Sequence, residues 1–167
     1  MTSPIRPTDN EARTLAQSLL SKARFAALGV VVDAGTPLVT RVAFGLAPDG
    51  QPLSLVSSLA THTGALQANP ACSLLVGEPG PKGDPLTHPR LSLICRATFL
   101  HHGEDGHSDL AAHYLRDHPK AKLYIGFADF SFVRFEVMTA YLNGGFGQAL
   151  SLIHLRRCRR RRIMNKP

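Results

Sequence analysis

Six segments with the pattern of β-strands, joined mostly by short turns, constrain the fold of this chain more than any other feature. They span residues 25–33, 38–46, 52–58, 71–76, 91–100 and 130–142. Turn residues fill the first two gaps, from Asp33 to Pro37 and from Pro48 to Gly50. Strands joined this closely pair with their neighbours along the chain, so the first three are predicted to form an antiparallel meander.

Helices are predicted only before and between these strands. Thr8 and Glu11 have the spacing of a capping box, and apolar residues at helical spacing follow as far as residue 23. Residues 61–69 and 108–117 predict two further helices, and the proline-rich segment 77–90 is predicted to be a loop. The expected fold class is therefore mainly β (α+β), an antiparallel barrel with peripheral helices.

The length and composition are those of one globular domain. The chain has 167 residues, of which 44% are hydrophobic. It has no apolar run near the roughly 20 residues that span a bilayer, and residues 1–13 lack the apolar part of a secretory signal. Cys72 and Cys95 lie in apolar segments, as expected of buried thiols in a reducing compartment. The predicted location is cytoplasmic.

The net positive charge is confined to the C-terminus. The formal net charge is +7, and the unbalanced positive residues all lie between Arg156 and Lys166. Residues 1–149 are predicted to form one domain, and residues 150–167 a basic, disordered tail. Because the rest of the chain is balanced in charge, it lacks the basic face of a nucleic-acid-binding domain. No membrane partner and no specific nucleic acid are expected.

Residues 41–70 carry the clearest sign of a ligand site. Arg41 lies on the second strand, Ser57 and Ser58 end the third, and residues 61–64 (Thr-His-Thr-Gly) open the next helix. Free N–H groups at a helix N-terminus bind anions, and arginine binds phosphate through two parallel hydrogen bonds. Each residue also has a plain structural interpretation: an outward-facing arginine, serines that end a strand, and a solvated histidine. Together they favour a phosphorylated ligand.

Other chemistries lack their motifs. No Cys-x-x-Cys or His-Glu-x-x-His spacing predicts a metal site, and no Gly-x-Ser-x-Gly predicts a nucleophilic serine. Residues 144–147 (Gly-Gly-Phe-Gly) lack the context of a dinucleotide fingerprint. The catalytic residues are therefore unknown. Of the eight histidines, His88 stands apart because it ends the proline-rich loop just before a strand, where a loop can present it to a ligand.

Three stretches of the chain resemble one protein family. They are Arg41-Val42-Ala43, Val56 to Thr63, and Asn69 to Val76. These stretches look like the core of the pyridoxamine 5'-phosphate oxidase-like, FMN-binding split barrels. Residues 83–97 and 124–147 are similar to the haem-utilisation (HugZ-type) branch of that superfamily. The resemblance covers about residues 12–149 and implies a six-stranded antiparallel split β-barrel.

The resemblance implies that FMN lies at the interface of a homodimer. Arg41 would bind the phosphate, and the backbone of Val42 and Ala43 would pack against the flavin. The other implied contacts come from the next strand, the start of the helix and the fifth strand: Val56, Ser57, Ser58, His62, Thr63 and Arg90. His62 and Thr63 stand where the oxidases have a basic pair, so two fixed positive charges are missing here. The substrate-binding C-terminus of the oxidases has no match, which argues against vitamin B6 oxidation.

Three functions remain open on this basis. The first is a flavin-dependent oxidoreductase that acts on a small molecule. The resemblance to the haem-utilisation branch includes haem degradation among its possible reactions. The second is a non-enzymatic dimeric barrel that binds a flavin, haem or a partner. The third is a nucleic-acid-associated protein that acts through its arginine-rich tail. Haem iron accepts an imidazole ligand, for which His88, or a histidine within residues 101–107, is the candidate.

The C-terminal sequence departs from the haem-utilisation branch. That branch usually continues past the Gly-Gly-Phe-Gly stretch into a second, small α/β domain, whereas this chain continues with the arginine-rich segment. A reading frame that leaves the ancestral one after about Leu150 would produce such a tail. A truncated relative of the branch is therefore expected.

Overall fold

The structure is a computed structural model that describes residues 10–144 and 149–152 of the chain. Its helices are α1 (Asn10–Lys22), α2 (Thr61–Ala68) and α3 (His107–Tyr114). Its strands are β1 (Phe25–Val32), β2 (Thr36–Ala43), β3 (Gly45–Leu46), β4 (Pro52–Ser57), β5 (Ala71–Val76), β6 (Arg90–Leu100), β7 (Phe130–Asn143) and β8 (Ala149–Leu152). Short 3₁₀ turns cover Asp33–Gly35, Pro85–Thr87 and Pro119–Leu123. None of the described helices is long and apolar enough to cross a bilayer.

The strands form one antiparallel sheet that curls into a half-barrel. Seven strands follow one another in the order β2-β1-β5-β6-β7-β4-β3, and β8 pairs with β7. The long strand β7 is shared, since β4 pairs with residues 130–134 and β8 pairs with residues 140–143. This arrangement confirms the mainly β fold class. Each of the six predicted segments forms a strand, and two short strands are added.

The first added strand arises because the predicted strand 38–46 is interrupted at Phe44. The N–H of Phe44 donates to the carbonyl of Arg24 at 2.9 Å, and its own carbonyl accepts from Nε2 of His118 at 2.8 Å. Both backbone groups are therefore used outside the strand ladder. The second added strand, β8, pairs with β7 as far as Leu152, within the first residues of the predicted tail. The remaining tail residues, 153–167, lie outside the described residues.

Two hydrophobic clusters hold the sheet. The larger cluster joins the inward side chains of β1, β2, β5, β6 and β7 to the apolar side of α1, where Ala12, Ala16 and Leu20 are buried. The smaller cluster lies on the β4 side of β7, where Leu53, Leu55 and Phe132 pack against α3. α1 thus follows its predicted amphipathic pattern, which covers residues 9–23 in the sequence and Asn10–Lys22 in the structure.

The opposite side of the sheet, called here the outer face, exposes apolar side chains. Strand registers align Arg41, Ala27, Leu75, Ser92 and Tyr141 in one row across five strands. Large apolar residues along this face remain accessible, with Val39 70%, Tyr141 47%, Ile94 43% and Leu75 42% exposed. An apolar surface of this kind usually marks a site of association.

Replacing Gly77 by alanine is expected to destabilise the protein by about 3 kcal/mol, because two costs add. Gly77 has φ +104°, a conformation that strains any residue with a Cβ, and an added Cβ would lie 2.5 Å from the carbonyl oxygen of Pro89. Gly50→Ala is the matched control, since φ is +83° there but no atom lies within 4 Å of the added Cβ. The control should lose only about 1 kcal/mol. Urea unfolding of both variants measures the difference, and equal losses would contradict the steric argument.

Candidate functional site

The segment between β4 and α2 forms a closely bonded turn, called here the Ser57–Thr63 turn. Ser57 is its centre: its hydroxyl donates to the carboxylate of Asp129 at 2.8 Å and accepts from the N–H of Leu59 at 3.2 Å. Its carbonyl accepts from the hydroxyl of Thr63 at 2.7 Å and from the N–H of Ala60 at 3.1 Å. The turn is therefore shaped by the protein itself before any ligand is present.

This turn leaves the start of α2 open to an anion. Ala60 occupies the N-cap position, and no side chain caps the helix. The N–H groups of Thr63 and Gly64 donate to the carbonyl of Ala60. The N–H groups of Thr61 and His62, the first two residues of α2, have no acceptor within the helix. Such groups, at the positive end of the helix dipole, are suited to bind a phosphate.

His62 adds an imidazole beside these N–H groups. The side chain is half-buried, and burial lowers the pKa of His62 below its usual value because desolvation disfavours the charged form. The ring is therefore neutral at physiological pH. It can offer one hydrogen bond to a ligand, but it does not replace the fixed charge of an arginine.

Three other predicted contact residues have buried side chains. Val42 and Val56 belong to the larger hydrophobic cluster, and Thr63 is 2% exposed. For the two valines only the backbone can meet a ligand, as the resemblance implies for Val42. The hydroxyl of Thr63 donates its single proton to the carbonyl of Ser57, so in this arrangement Thr63 stabilises the turn. Ser58, in contrast, is exposed, and its N–H donates to the carbonyl of Asp129 at 2.8 Å.

Arg41 lies apart from the turn, on the outer face of β2. Its guanidinium carbon is 5.0 Å from the centre of the Phe25 ring, a cation–π contact. Within the described part of the chain it makes no hydrogen bond or ion pair, and its side chain is exposed. Ala43, two residues later on the same face, is half-buried. The structure therefore joins Ser57 to Thr63 directly, places His62 next to Thr63 in the first turn of α2, and leaves Arg41 on the outer face without a hydrogen-bond partner among the described residues.

Arg90 and His88 organise the proline-rich loop. Arg90 donates to the carbonyl of Leu86 at 3.0 Å. In His88, Nδ1 accepts from the N–H of Gly80 at 3.3 Å and Nε2 donates to the carbonyl of Lys82 at 2.9 Å. Both ring nitrogens are used inside the loop. A haem iron could bind His88 only after one of these hydrogen bonds is broken, and the role of His88 as a haem ligand stays a prediction.

The other histidines considered as haem ligands lie around α3. His101 stacks on Phe99 and its Nδ1 contacts the hydroxyl of Ser131 at 3.1 Å. His107 is buried against Phe132, and its Nε2 has no hydrogen-bond partner in the described structure. Burial is the main cause that lowers the pKa of His107, so its ring resists protonation and is neutral at physiological pH.

The prediction that Cys72 and Cys95 are buried thiols is confirmed. Cys72 and Cys95 face each other across β5 and β6, and both are buried. Burial raises the pKa of Cys72 to about 11 and that of Cys95 to about 12. Both are therefore protonated thiols without nucleophilic character at neutral pH.

Asp129 is the residue of this site that the sequence did not indicate. It lies just before β7 and bonds to Ser57, a residue 72 positions earlier in the chain. A lone aspartate after a turn has no local pattern that distinguishes it from a surface residue. Only the pairing of Ser57 with Phe130 in the sheet brings the two together.

The comparisons with known proteins agree with this fold. Residues 7–155 match the model of the CREG β-barrel family. The chain is 37% identical over 120 residues to the chloroplastic heme oxygenase HOZ of Arabidopsis thaliana, an alignment that covers 66% of this chain but only 36% of HOZ. The chain thus spans about a third of the length of that curated relative.

Two solved structures extend the comparison. A heme-binding protein from Mycobacterium smegmatis is 27% identical, with a TM-score of 0.76 over 89% of this chain and 59% of that one. A pyridoxinephosphate oxidase family protein from Clostridium acetobutylicum has a TM-score of 0.67 over 87% of this chain and 96% of that one. It is 13% identical and therefore shows the fold alone. These matches confirm the resemblance to split barrels of the oxidase and haem-utilisation kind, and the chain belongs to the CREG β-barrel family.

Proposed function

We propose that this chain binds FMN at the interface of a homodimer and supports flavin-dependent oxidoreductase chemistry. The observation that carries the proposal is the Ser57–Thr63 turn, which is closed by internal hydrogen bonds yet leaves the first N–H groups of α2 open. Such a turn accepts a phosphate with little ordering cost, because its shape exists before the ligand binds.

The charges and donors around the turn match a phosphate monoester. The N–H groups of Thr61 and His62 supply two donors, and the free guanidinium of Arg41 supplies a fixed positive charge. Arg41 also lies over Phe25, which keeps the long side chain near the outer face. When bound, the isoalloxazine ring would supply hydride or single-electron transfer. The residues of this chain would bind and orient it.

The outer face supports the homodimer. Leu75 lies in the same row as Arg41, two strands away, a separation of about 10 Å at the usual strand spacing. A second copy of the chain that covers the exposed apolar residues of this face would therefore also border Arg41, the residue proposed to bind the phosphate. A cofactor shared between subunits follows from this proximity.

Haem is the second candidate ligand, as substrate or as bound group. The observation that favours it is the 37% identity to a chloroplastic heme oxygenase, together with the 27% identity to a mycobacterial heme-binding protein. Within this chain, His107 has a neutral imidazole whose Nε2 is unpartnered but buried, so haem would have to open the structure around α3 to reach it. If haem is a bound group and not a substrate, the protein is the alternative named above, a non-enzymatic dimeric barrel that binds flavin or haem.

A flavin fluorescence titration combined with sedimentation velocity tests the proposal. We expect FMN to bind in the micromolar range or tighter, riboflavin to bind more weakly because it lacks the phosphate, and the protein to sediment as a dimer. A monomer with no FMN affinity below about 100 μM, a binding free energy near 5.5 kcal/mol, would contradict the proposal. A Soret shift on haemin titration of that same protein would then favour the haem alternative.

A further inference from the structure

We infer that Asp129 is a positioning residue that sets the shape of the phosphate site through Ser57. The inference rests on the proposed function, because it concerns the same turn, and it adds a residue that neither the resemblance nor the comparisons assign. In this inference Asp129 acts through Ser57, which its carboxylate contacts.

Asp129 holds two consecutive residues at the end of β4. Its carboxylate accepts the hydroxyl proton of Ser57 at 2.8 Å, and its backbone carbonyl accepts the N–H of Ser58 at 2.8 Å. The first bond determines which way the Ser57 hydroxyl points. With its proton directed at Asp129, the oxygen presents a lone pair to the N–H of Leu59 at 3.2 Å.

The orientation of Ser57 is passed on to the start of α2. Leu59, Ala60 and Thr63 all bond to Ser57, through its hydroxyl oxygen or its carbonyl. Without the acceptor on Asp129, the Ser57 hydroxyl can rotate and its bond to Leu59 is no longer specified. The N–H groups that follow would then need to be ordered by the ligand, which lowers its affinity.

The acceptor oxygen, and not the negative charge, is the property of Asp129 that the site needs. A carboxylate close to a phosphate repels it, so charge alone would weaken binding. Asparagine keeps a carbonyl oxygen that can accept from Ser57 and removes the charge. Asp129→Asn should therefore preserve phosphate binding, whereas Asp129→Ala should not.

The test compares FMN with riboflavin, two ligands that differ only in the phosphate. We expect Asp129→Ala to lower the ratio of FMN affinity to riboflavin affinity about tenfold, the size of one hydrogen bond. Asp129→Asn should keep the ratio within about twofold of wild type. Asp49→Ala is the matched control, because Asp49 also bonds across to β7, at Arg134. Arg134 lies about 13 Å along the strand from Phe130 at the usual rise per residue, and the control ratio should not change.

The outcomes separate this inference from the proposed function. If wild type binds FMN and riboflavin equally, the phosphate site itself is wrong and the inference falls with it. If wild type prefers FMN but Asp129→Ala keeps that preference, or Asp129→Asn loses it to the same extent, the positioning role alone is overturned. Should Asp129→Ala not fold, Ser57→Ala breaks the same bond from the other side and should lower the ratio equally. An unchanged ratio in that variant overturns the inference.

Discussion

Replacing Arg41 by alanine is expected to weaken FMN binding ten- to a hundredfold. The guanidinium is the only fixed positive charge assigned to the phosphate, and a charge-assisted hydrogen bond contributes roughly 1.5–3 kcal/mol. Each 1.4 kcal/mol corresponds to about a factor of ten in affinity. Arg41 has no hydrogen-bond or ion-pair partner to lose within the described part of the chain, and its side chain is exposed. The unfolding temperature should therefore change little.

Arg13→Ala serves as the control for Arg41→Ala, since it removes one positive charge from an exposed position on α1. Both variants and wild type are titrated with FMN at low and at physiological salt. The control should match wild type, and the loss in Arg41→Ala should be larger at low salt, where charges are less screened. Equal affinities in all three proteins would remove Arg41 from the site.

Replacing Leu75 by glutamate is expected to convert the proposed dimer into a monomer. Leu75 is 42% exposed at the centre of the outer face, so a single subunit can carry a charged residue there. In a dimer that covers this face, the carboxylate would be buried without a partner, at a cost of several kcal/mol. A cost of about 3 kcal/mol or more weakens association at least about a hundredfold.

Sedimentation velocity over a range of concentrations measures this effect. Leu123→Glu is the control, because Leu123 is 79% exposed but belongs to the 3₁₀ turn after α3 and not to the outer face. It should leave the oligomeric state unchanged. If the cofactor lies between subunits, Leu75→Glu should also lose FMN. A Leu75→Glu variant that remains a dimer would show that the outer face is not the interface.

The sequence was informative wherever a local pattern decided the structure. The apolar run of β1, ended by turn residues, and the helical spacing of Ala12, Ala16 and Leu20 are visible in the sequence because each is a local pattern. The Ser57–Thr63 turn was also indicated, since serine and threonine at a strand end and a helix start bond to nearby backbone.

The features that were missed depend on contacts between distant residues. The interruption at Phe44 requires His118, 74 positions later, and the orientation of Ser57 requires Asp129. The engaged nitrogens of His88 depend on how the proline-rich loop folds back on itself. In each case the residue type is compatible with several partners, and only the folded chain determines which partner it meets.

The long separation between Ser57 and Asp129 has a consequence for the order of events during synthesis. β4 pairs with the first residues of β7, and the contact between Ser57 and Asp129 in the Ser57–Thr63 turn joins residues 72 positions apart. At roughly 5–20 residues per second, a ribosome needs about 4–14 s to add the intervening chain. When Ser57 has left the ribosome but Asp129 has not, residues 57–63 of the turn are present, but the acceptor that orients the Ser57 hydroxyl is missing. On the proposed function, cofactor capture therefore waits until β7 has been translated and has paired with β4, so the flavin meets a nearly complete sheet.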